Sequence, residues 1–146
     1  MVVEPARILD TLKPIYLNTD LDVRARFDLG PLHAELSGFG FDGWSVEKRN
    51  GVWEATFNWR RHTYPSQAID GMLGVVARLS PEGRKLWDAC LARRFNIGYG
   101  YEDQPFNWSH SAHQLRPALL ARLAVAGASV VLTIYRTDMK GIQATS

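Results

Sequence analysis

Apolar and polar residues alternate most regularly in the segment GWSVEKRNGVWEATFNW, which spans residues 43–59. Two alternating runs flank Asn50 and Gly51, a dipeptide that tolerates the positive φ angles of a type I′ turn. A two-residue loop sets Arg49 opposite Val52 and fixes the pairing along both strands. The pairs that follow are Lys48 with Trp53, Val46 with Ala55 and Trp44 with Phe57. The segment therefore predicts a β-hairpin with one apolar and one polar face.

The same register places Glu47 opposite Glu54 on the polar face of the hairpin. Like charges directly across two strands are mildly destabilising. We expect an arginine or lysine from a neighbouring strand to lie between the two carboxylates. A bound cation or a basic side chain of a partner would also satisfy them.

Three other runs of apolar residues predict further strands. They are residues 14–19 (PIYLNT), 95–101 (FNIGYGY) and 129–135 (SVVLTIY). The first is expected to end at the sequence NTDLD, which contains Asp20 and Asp22. The last is apolar on both faces, which is typical of a central strand.

Apolar residues at helical spacing predict four helices. They are a helix at about 29–36 with Pro31 near its start, a main core helix from Ala68 with Thr63 as N-cap, a short helix from Ser80-Pro81, and a helix from the Ser111-x-x-Gln114 capping box. The last is expected to bury Leu115, Leu119, Leu120 and Leu123. Gly71 and Gly74 in the main helix indicate a close approach to a neighbouring element.

The order of these elements predicts an α+β fold in a single domain covering residues 1–146. We expect one mixed, mainly antiparallel sheet of about five strands, with helices packed mostly on one face. A ferredoxin-like or related split-βαβ style fits this order. Residues 1–13 and 137–146 receive no firm assignment.

Composition narrows the function only slightly. A net charge of +2 is too small to imply nucleic-acid binding, and the single cysteine excludes an internal disulfide. Cys90 lies at helical spacing with Leu86 and Trp87, which favours a buried structural thiol over a nucleophile. Charged residues near the N-terminus interrupt any signal-peptide core, and no transmembrane run is present. We expect a cytoplasmic protein without membrane contacts.

Three segments of the chain resemble a family of small bacterial proteins described only as a domain of unknown function. They are GWSVE, PSQAIDGMLGVVARL and ARLAVAGASVVLTIY, and the chain departs from the family pattern at Ala112, where the family has proline. Matching positions are Trp44, Ser45, Ser111, Leu115, Leu123, Ala124, Gly127, Ala128, Leu132, Ile134 and Tyr135. The resemblance implies a fold and a stand-alone bacterial accessory protein, such as one encoded beside a toxin or a secretion system. It supplies no catalytic residues.

Two pairs of side chains are candidate metal ligands. Asp20 and Asp22 share one face of an extended segment, where paired carboxylates can hold a divalent cation, although turn carboxylates more often cap backbone amides. His110 and His113 are the possible ligands for a first-row metal, but Ser111 as N-cap leaves His110 outside the helix. A small metal-dependent enzyme that uses Asp20 and Asp22 with His110 or His113 is therefore the alternative function.

The leading hypothesis is a non-enzymatic protein-binding module, such as a bacterial immunity or adaptor protein of a toxin–antitoxin system. No known catalytic motif or nucleotide-binding loop is present in the sequence, and no cofactor is expected. Protein interfaces concentrate aromatic and arginine side chains. The candidate binding residues are Lys48, Arg49, Arg60, Arg61, Tyr99 and Trp108. The expected partner is another protein, and the sequence leaves the oligomeric state open.

The basic residues also suggest a second binding hypothesis. A nucleic-acid surface would form if the basic residues of the hairpin and of the following helix end clustered, namely Lys48, Arg49, Arg60, Arg61, His62, Arg93 and Arg94. Because 15 acidic residues offset the positive charges, solvated surface charges are the favoured interpretation.

Overall fold

A computed structural model describes residues 12–59, 64–103 and 112–135, with the side chains of residues 12–14, 44 and 101–103 left out. Its strands are β1 (Leu12–Ala25), β2 (Phe41–Arg49), β3 (Val52–Trp59), β4 (Ala92–Asp103) and β5 (Ser129–Tyr135). Its helices are α1 (Gly30–Ser37), α2 (Pro65–Val76), α3 (Pro81–Ala89) and α4 (Pro117–Val125).

The five strands form one mixed sheet in the order β2-β3-β1-β4-β5. Antiparallel pairing joins β2 to β3 and joins β1 to both β3 and β4. In contrast, β4 and β5 are parallel, and α4 connects them. The predicted α+β class and mainly antiparallel sheet are confirmed. The topology differs from the split-βαβ style in one detail. In that style another strand lies between the two parallel strands, whereas β4 and β5 are direct neighbours.

The central strand β1 shows how the two faces of the sheet differ. Leu21, Val23 and Ala25 are buried in the apolar core, together with side chains from the neighbouring strands and from the four helices. The intervening side chains point to the opposite, polar face, and they are Asp20, Asp22 and Arg24. This period of two places the helices on one face of the sheet, as predicted.

Two strand predictions are wrong. One concerns the end of the first strand, and the other concerns the position of the last strand in the sheet. The first strand does not stop at Thr19 but continues to Ala25. The NTDLD sequence belongs to a strand because its alternation of polar and apolar residues matches the two faces of the sheet. The last strand has the predicted bounds, but within the described residues it lies at the edge rather than at the centre.

The hairpin has the predicted turn, with φ angles of 50° at Asn50 and 77° at Gly51. Its pairing matches the prediction from the turn to the pair of Ser45 with Thr56. Beyond that pair a bulge sets Gly43, rather than Trp44, opposite Phe57. The ring of His33 covers Gly43 so closely that a Cβ atom there would lie 1.9 Å from the imidazole Nε2. The bulge thus places a glycine beneath the imidazole.

The expected basic partners of the facing glutamates are present. Arg24 of the neighbouring strand lies 3.2 Å from Glu54, measured from Nε to Oε1. Arg49 donates a hydrogen bond of 3.0 Å to Glu47 from its own strand. Two arginines therefore offset the repulsion that the register creates.

The helices α1 and α3 lie where they were predicted, and Ser80 caps α3 by accepting a hydrogen bond of 3.0 Å from the backbone N–H of Gly83. The other two helices begin at prolines. The N-cap of α2 is Tyr64 rather than Thr63. The helix α4 starts at Pro117, six residues after Ser111, which lies outside the described residues. Its start follows from Pro117, because a proline disfavours helical geometry in the preceding residue and suits the first helical position.

The buried stripe of α4 is narrower than predicted. Leu119 and Leu123 belong to the core, whereas Leu120 is exposed. Leu115 precedes the helix and packs against the core from the connecting segment. The later start of the helix explains why four leucines do not form one buried face.

A buried tryptophan connects α3, α4 and β4. The indole Nε1 of Trp87 donates a hydrogen bond of 3.0 Å to the carbonyl of Ala126, just after α4. The guanidinium of Arg93 in turn donates to the carbonyls of Trp87 at 2.5 Å, Cys90 at 3.2 Å and Gly127 at 3.0 Å. A cation is favoured at these C-terminal helix ends, where backbone carbonyls lack helical partners. Arg93 is therefore a structural cap shared by two helices.

Cys90 lies beside this junction and is buried, as predicted. Burial raises the pKa of its thiol to about 11. The thiol also lies 3.2 Å from the carbonyl of Leu86, within hydrogen-bonding distance for sulfur. The thiolate required for nucleophilic attack is thus disfavoured at neutral pH.

Two glycines of α2 provide a matched test of the packing. A Cβ atom on Gly71 would lie 2.6 Å from Cζ2 of Trp59, whereas one on Gly74 would meet nothing within 4 Å. We expect Gly71→Ala to destabilise the protein by about 1–3 kcal/mol through overpacking. Gly74→Ala should stabilise it by about 0.5–1 kcal/mol through helix propensity. Urea unfolding measures both, and equal changes in the two variants would contradict the observed approach of Trp59 to Gly71.

The capping role of Arg93 generates a second test. Because hydrogen bonds to charged groups contribute about 1.5–3 kcal/mol, we expect Arg93→Ala to lower the free energy of unfolding by at least that amount. The neighbouring Arg94 points to the polar face, so Arg94→Ala should change stability by no more than about 0.5 kcal/mol. Denaturant unfolding of the two variants compares them, and a neutral Arg93→Ala variant would refute the cap.

Candidate functional site

The predicted binding residues that the structure describes lie at two distant places in the sheet. Lys48 and Arg49 lie at the turn end of β2, where the ammonium of Lys48 is 5.7 Å from the centre of the Trp53 ring. Trp53 is paired with Ala25, whereas Tyr99 is paired with Tyr16 nine residues earlier in β1. At about 3.3 Å per residue, the two sites lie roughly 30 Å apart. They cannot form one contact surface for a small partner segment.

The remaining predicted binding residues, Arg60, Arg61 and Trp108, lie outside the described residues, as does His110. Arg93, a described residue of the predicted basic surface, is engaged within the fold, because its guanidinium donates hydrogen bonds to backbone carbonyls. The strand registers place Arg93 at the same end of the sheet as Lys48 and Arg49, but three strands across from them.

Tyr99 belongs to an aromatic cluster on the helix-covered side of the sheet. Its hydroxyl lies 2.8 Å from Nδ1 of His113, within hydrogen-bonding distance. The imidazole centre is 5.5 Å from the ring of Tyr16, 5.4 Å from that of Tyr64 and 5.7 Å from that of Tyr99. Burial raises the pKa of both Tyr16 and Tyr99, so their phenols stay neutral. The imidazole of His113 is therefore held among three tyrosine rings.

An open hollow of about 460 Å³ adjoins this cluster. Its lining residues are Tyr64, Ser66, Ala112, His113 and Gln114. The hollow offers a hydroxyl, an amide and an imidazole to solvent. It is wide and shallow rather than enclosed, so it lacks the walls that bury most of a small ligand's surface.

The carboxylates of Asp20 and Asp22 share the polar face of the sheet, as the sequence predicted for an extended segment. Asp20 accepts hydrogen bonds from the amides of Asn58 at 2.8 Å and Asn18 at 3.2 Å. Asp22 accepts one of 2.9 Å from the hydroxyl of Thr56. The contacts with Asn58 and Thr56 join β1 to β3, so both carboxylates act as cross-strand acceptors rather than as caps of backbone amides.

Asp20 and Asp22 do not meet His113, the described member of the histidine pair. Asp20 and Asp22 lie on the polar face, whereas His113 packs with Tyr16 and Tyr99 on the helix-covered face. Among the described residues, no three or more histidine, cysteine, aspartate or glutamate side chains are grouped for a metal ion. The predicted combination of Asp20 and Asp22 with His113 is therefore not formed.

The strand β5 exposes a surface that the sequence prediction missed. Its seven residues carry no charge, and the exposed fractions are 65% for Leu132, 60% for Ile134 and 47% for Tyr135. Within the described part of the chain, β4 is its sole neighbour in the sheet. The apolar character on both faces was the available signal, but it was interpreted as the mark of a central strand.

The opposite edge strand, β2, has the features that protect an edge. It contains the charged residues Asp42, Glu47, Lys48 and Arg49, and a bulge interrupts its register at Trp44. Charged side chains and bulges hinder the addition of a further strand. The strand β5 has neither feature, so the two edges of the sheet differ in their readiness to pair.

The chain matches no known protein-family profile, no curated protein and no solved structure. Its resemblance to a bacterial domain of unknown function therefore stays a prediction. No helix among the described residues is long and apolar enough to cross a membrane.

The polar face generates a prediction about pH. Burial raises the pKa of the Asp20 carboxyl, the hydrogen bond from Asn58 opposes this shift, and the charge of Asp22 adds to it. Because the pKa is higher in the folded state, the stability that this group contributes is present in acid and is lost as the pH rises through the folded-state value. We expect Asp20→Asn to raise the melting temperature at pH 7 and to lose this advantage near about pH 3.

Thermal unfolding of wild type and Asp20→Asn at both pH values measures the effect. Asparagine retains one oxygen that can accept the Asn58 hydrogen bond, so the variant removes the half-buried charge and the acceptor of the 3.2 Å contact from Asn18. A variant that is less stable than wild type at pH 7 would show that the ionised carboxylate stabilises the fold.

Proposed function

We propose that this chain is a protein-binding module and that its contact surface is the edge of β5. The partner supplies an extended segment that adds a strand to the sheet. The observation that supports this proposal is the exposure of Leu132 and Ile134, at 65% and 60%, on an uncharged edge strand. An edge of this kind is a template for pairing with another chain.

Strand addition would provide hydrogen bonds to the backbone of β5 and would cover its exposed apolar side chains. The partner's backbone would form hydrogen bonds along the edge of the strand, and its alternate side chains would cover Leu132 and Ile134. Burying an aliphatic side chain contributes about 1.5–3 kcal/mol. The chemistry of β5 selects a segment rich in apolar and β-branched residues, because a charged residue would be desolvated beside these side chains.

Among the described residues, the side chains that suggested chemistry are engaged within the fold, which supports binding over catalysis. Asp20 and Asp22 join neighbouring strands, and His113 is packed among tyrosines. The family resemblance suggests a specific form of this proposal, in which a cytoplasmic bacterial immunity or adaptor protein binds a toxin or another accessory protein.

The test compares binding by three purified proteins that carry the same tag. Leu132→Lys places a charge on β5, whereas Val125→Lys places one on α4, where Val125 is 82% exposed. We expect a stoichiometric partner from the natural source cells to bind wild type and Val125→Lys. Its affinity for Leu132→Lys should fall about tenfold or more, because an apolar contact is lost and a charge is buried.

Circular dichroism confirms that each variant is folded before the binding experiment. A partner that binds Leu132→Lys as tightly as wild type would place the contact surface elsewhere on the chain. Absence of any partner that depends on β5, including a second copy of the chain, would overturn the proposal.

A further inference from the structure

We infer that the strand covering β5 is the β5 strand of a second copy of this chain, an inference that rests on the proposed function and names its partner. The two copies would pair antiparallel about a two-fold axis perpendicular to the sheet, the usual symmetry of a homodimer. The five described strands of each copy would then belong to one continuous sheet.

Symmetry restricts the register of such a pair. Directly opposite residues in an antiparallel pair must point to the same face, and side chains alternate along each strand. The axis must therefore pass through a residue position rather than between two residues. The register centred on Leu132 uses the whole strand, because three residues of β5 lie on each side of it.

This register is chemically self-complementary. On the helix-covered face it sets Leu132 against its own copy and Val130 against Ile134, so that every contact is apolar. On the polar face it sets Val131 against Thr133 and Ser129 against Tyr135. No position places like charges opposite each other, because β5 is uncharged throughout. Such β-branched and aromatic pairs across strands are favourable.

The bulge and the charged residues of β2 interrupt an equivalent ladder at the other edge of the sheet. Self-association is thus limited to one edge per copy, which produces a closed dimer rather than a fibre. The strand has seven residues, so the interface is small compared with the roughly 1,200 Å² of stable complexes. A weak dimer that dissociates on dilution is the expected state.

Single cysteines on β5 test both the partner and the register. In the register centred on Leu132, a Leu132→Cys side chain meets its own copy within the roughly 4.4–6.8 Å between Cα atoms that a disulfide spans. A Ser129→Cys side chain would lie about 20 Å from its own copy, because six residues of strand separate them. The native Cys90 is buried and has a raised thiol pKa, so it interferes little in both variants.

We expect mild oxidation to link Leu132→Cys into a covalent dimer on a non-reducing gel. Ser129→Cys alone should remain monomeric, whereas a mixture of Ser129→Cys and Tyr135→Cys should form a linked heterodimer. Equal linkage of Leu132→Cys and Ser129→Cys would indicate random collision and overturn the register. No linkage in any sample would overturn the second copy as partner.

Sedimentation of the wild-type chain over a range of concentrations provides the independent measurement. We expect a reversible monomer–dimer equilibrium that Leu132→Lys abolishes and Val125→Lys preserves. A monomer at every concentration, combined with a different protein that binds only when Leu132 is intact, would refute the second copy and retain the proposed function. A monomer without any such partner would refute both.

Discussion

The alternation of side chains along β1 is the constraint on which the rest of the structure depends. Leu21 and Val23 must be buried, and the adjacent carboxylates must not be, so the helices are confined to one side of the sheet. Because β1 lies at the centre and pairs with both β3 and β4, the same division of faces extends to its neighbours. The polar face then satisfies its own acceptors, since Asn58 and Thr56 donate to Asp20 and Asp22.

Charged residues that suggested binding or chemistry instead hold elements of the fold together. Arg93 binds the carbonyl ends of two helices, and Asp20 and Asp22 accept hydrogen bonds from the neighbouring strand β3. Within the described residues, the exposed apolar strand β5 is a feature that these contacts leave unexplained. The proposed contact surface follows from this contrast rather than from a recognised motif.

Local chemistry explains which predictions were correct. The Asn50-Gly51 turn, the pairing up to Ser45 and the start of α3 depend on neighbouring residues, so the sequence was sufficient for them. The bulge at Trp44 places Gly43 against His33, a contact with another element that the hairpin sequence does not contain. The end of β1 was wrong because aspartates were interpreted as turn residues, although neighbouring strands supply their hydrogen-bond donors.

The sequence by itself determined the α+β class, the alternating faces and the hairpin, because these follow from periodicity and turn chemistry over a few residues. Only the tertiary structure decided the strand order, which placed β5 at an edge and separated Lys48 from Tyr99. An apolar strand has the same local pattern whether it has one neighbour or two. Its place in the sheet is set by pairings between residues far apart in the chain, and a local pattern does not encode them.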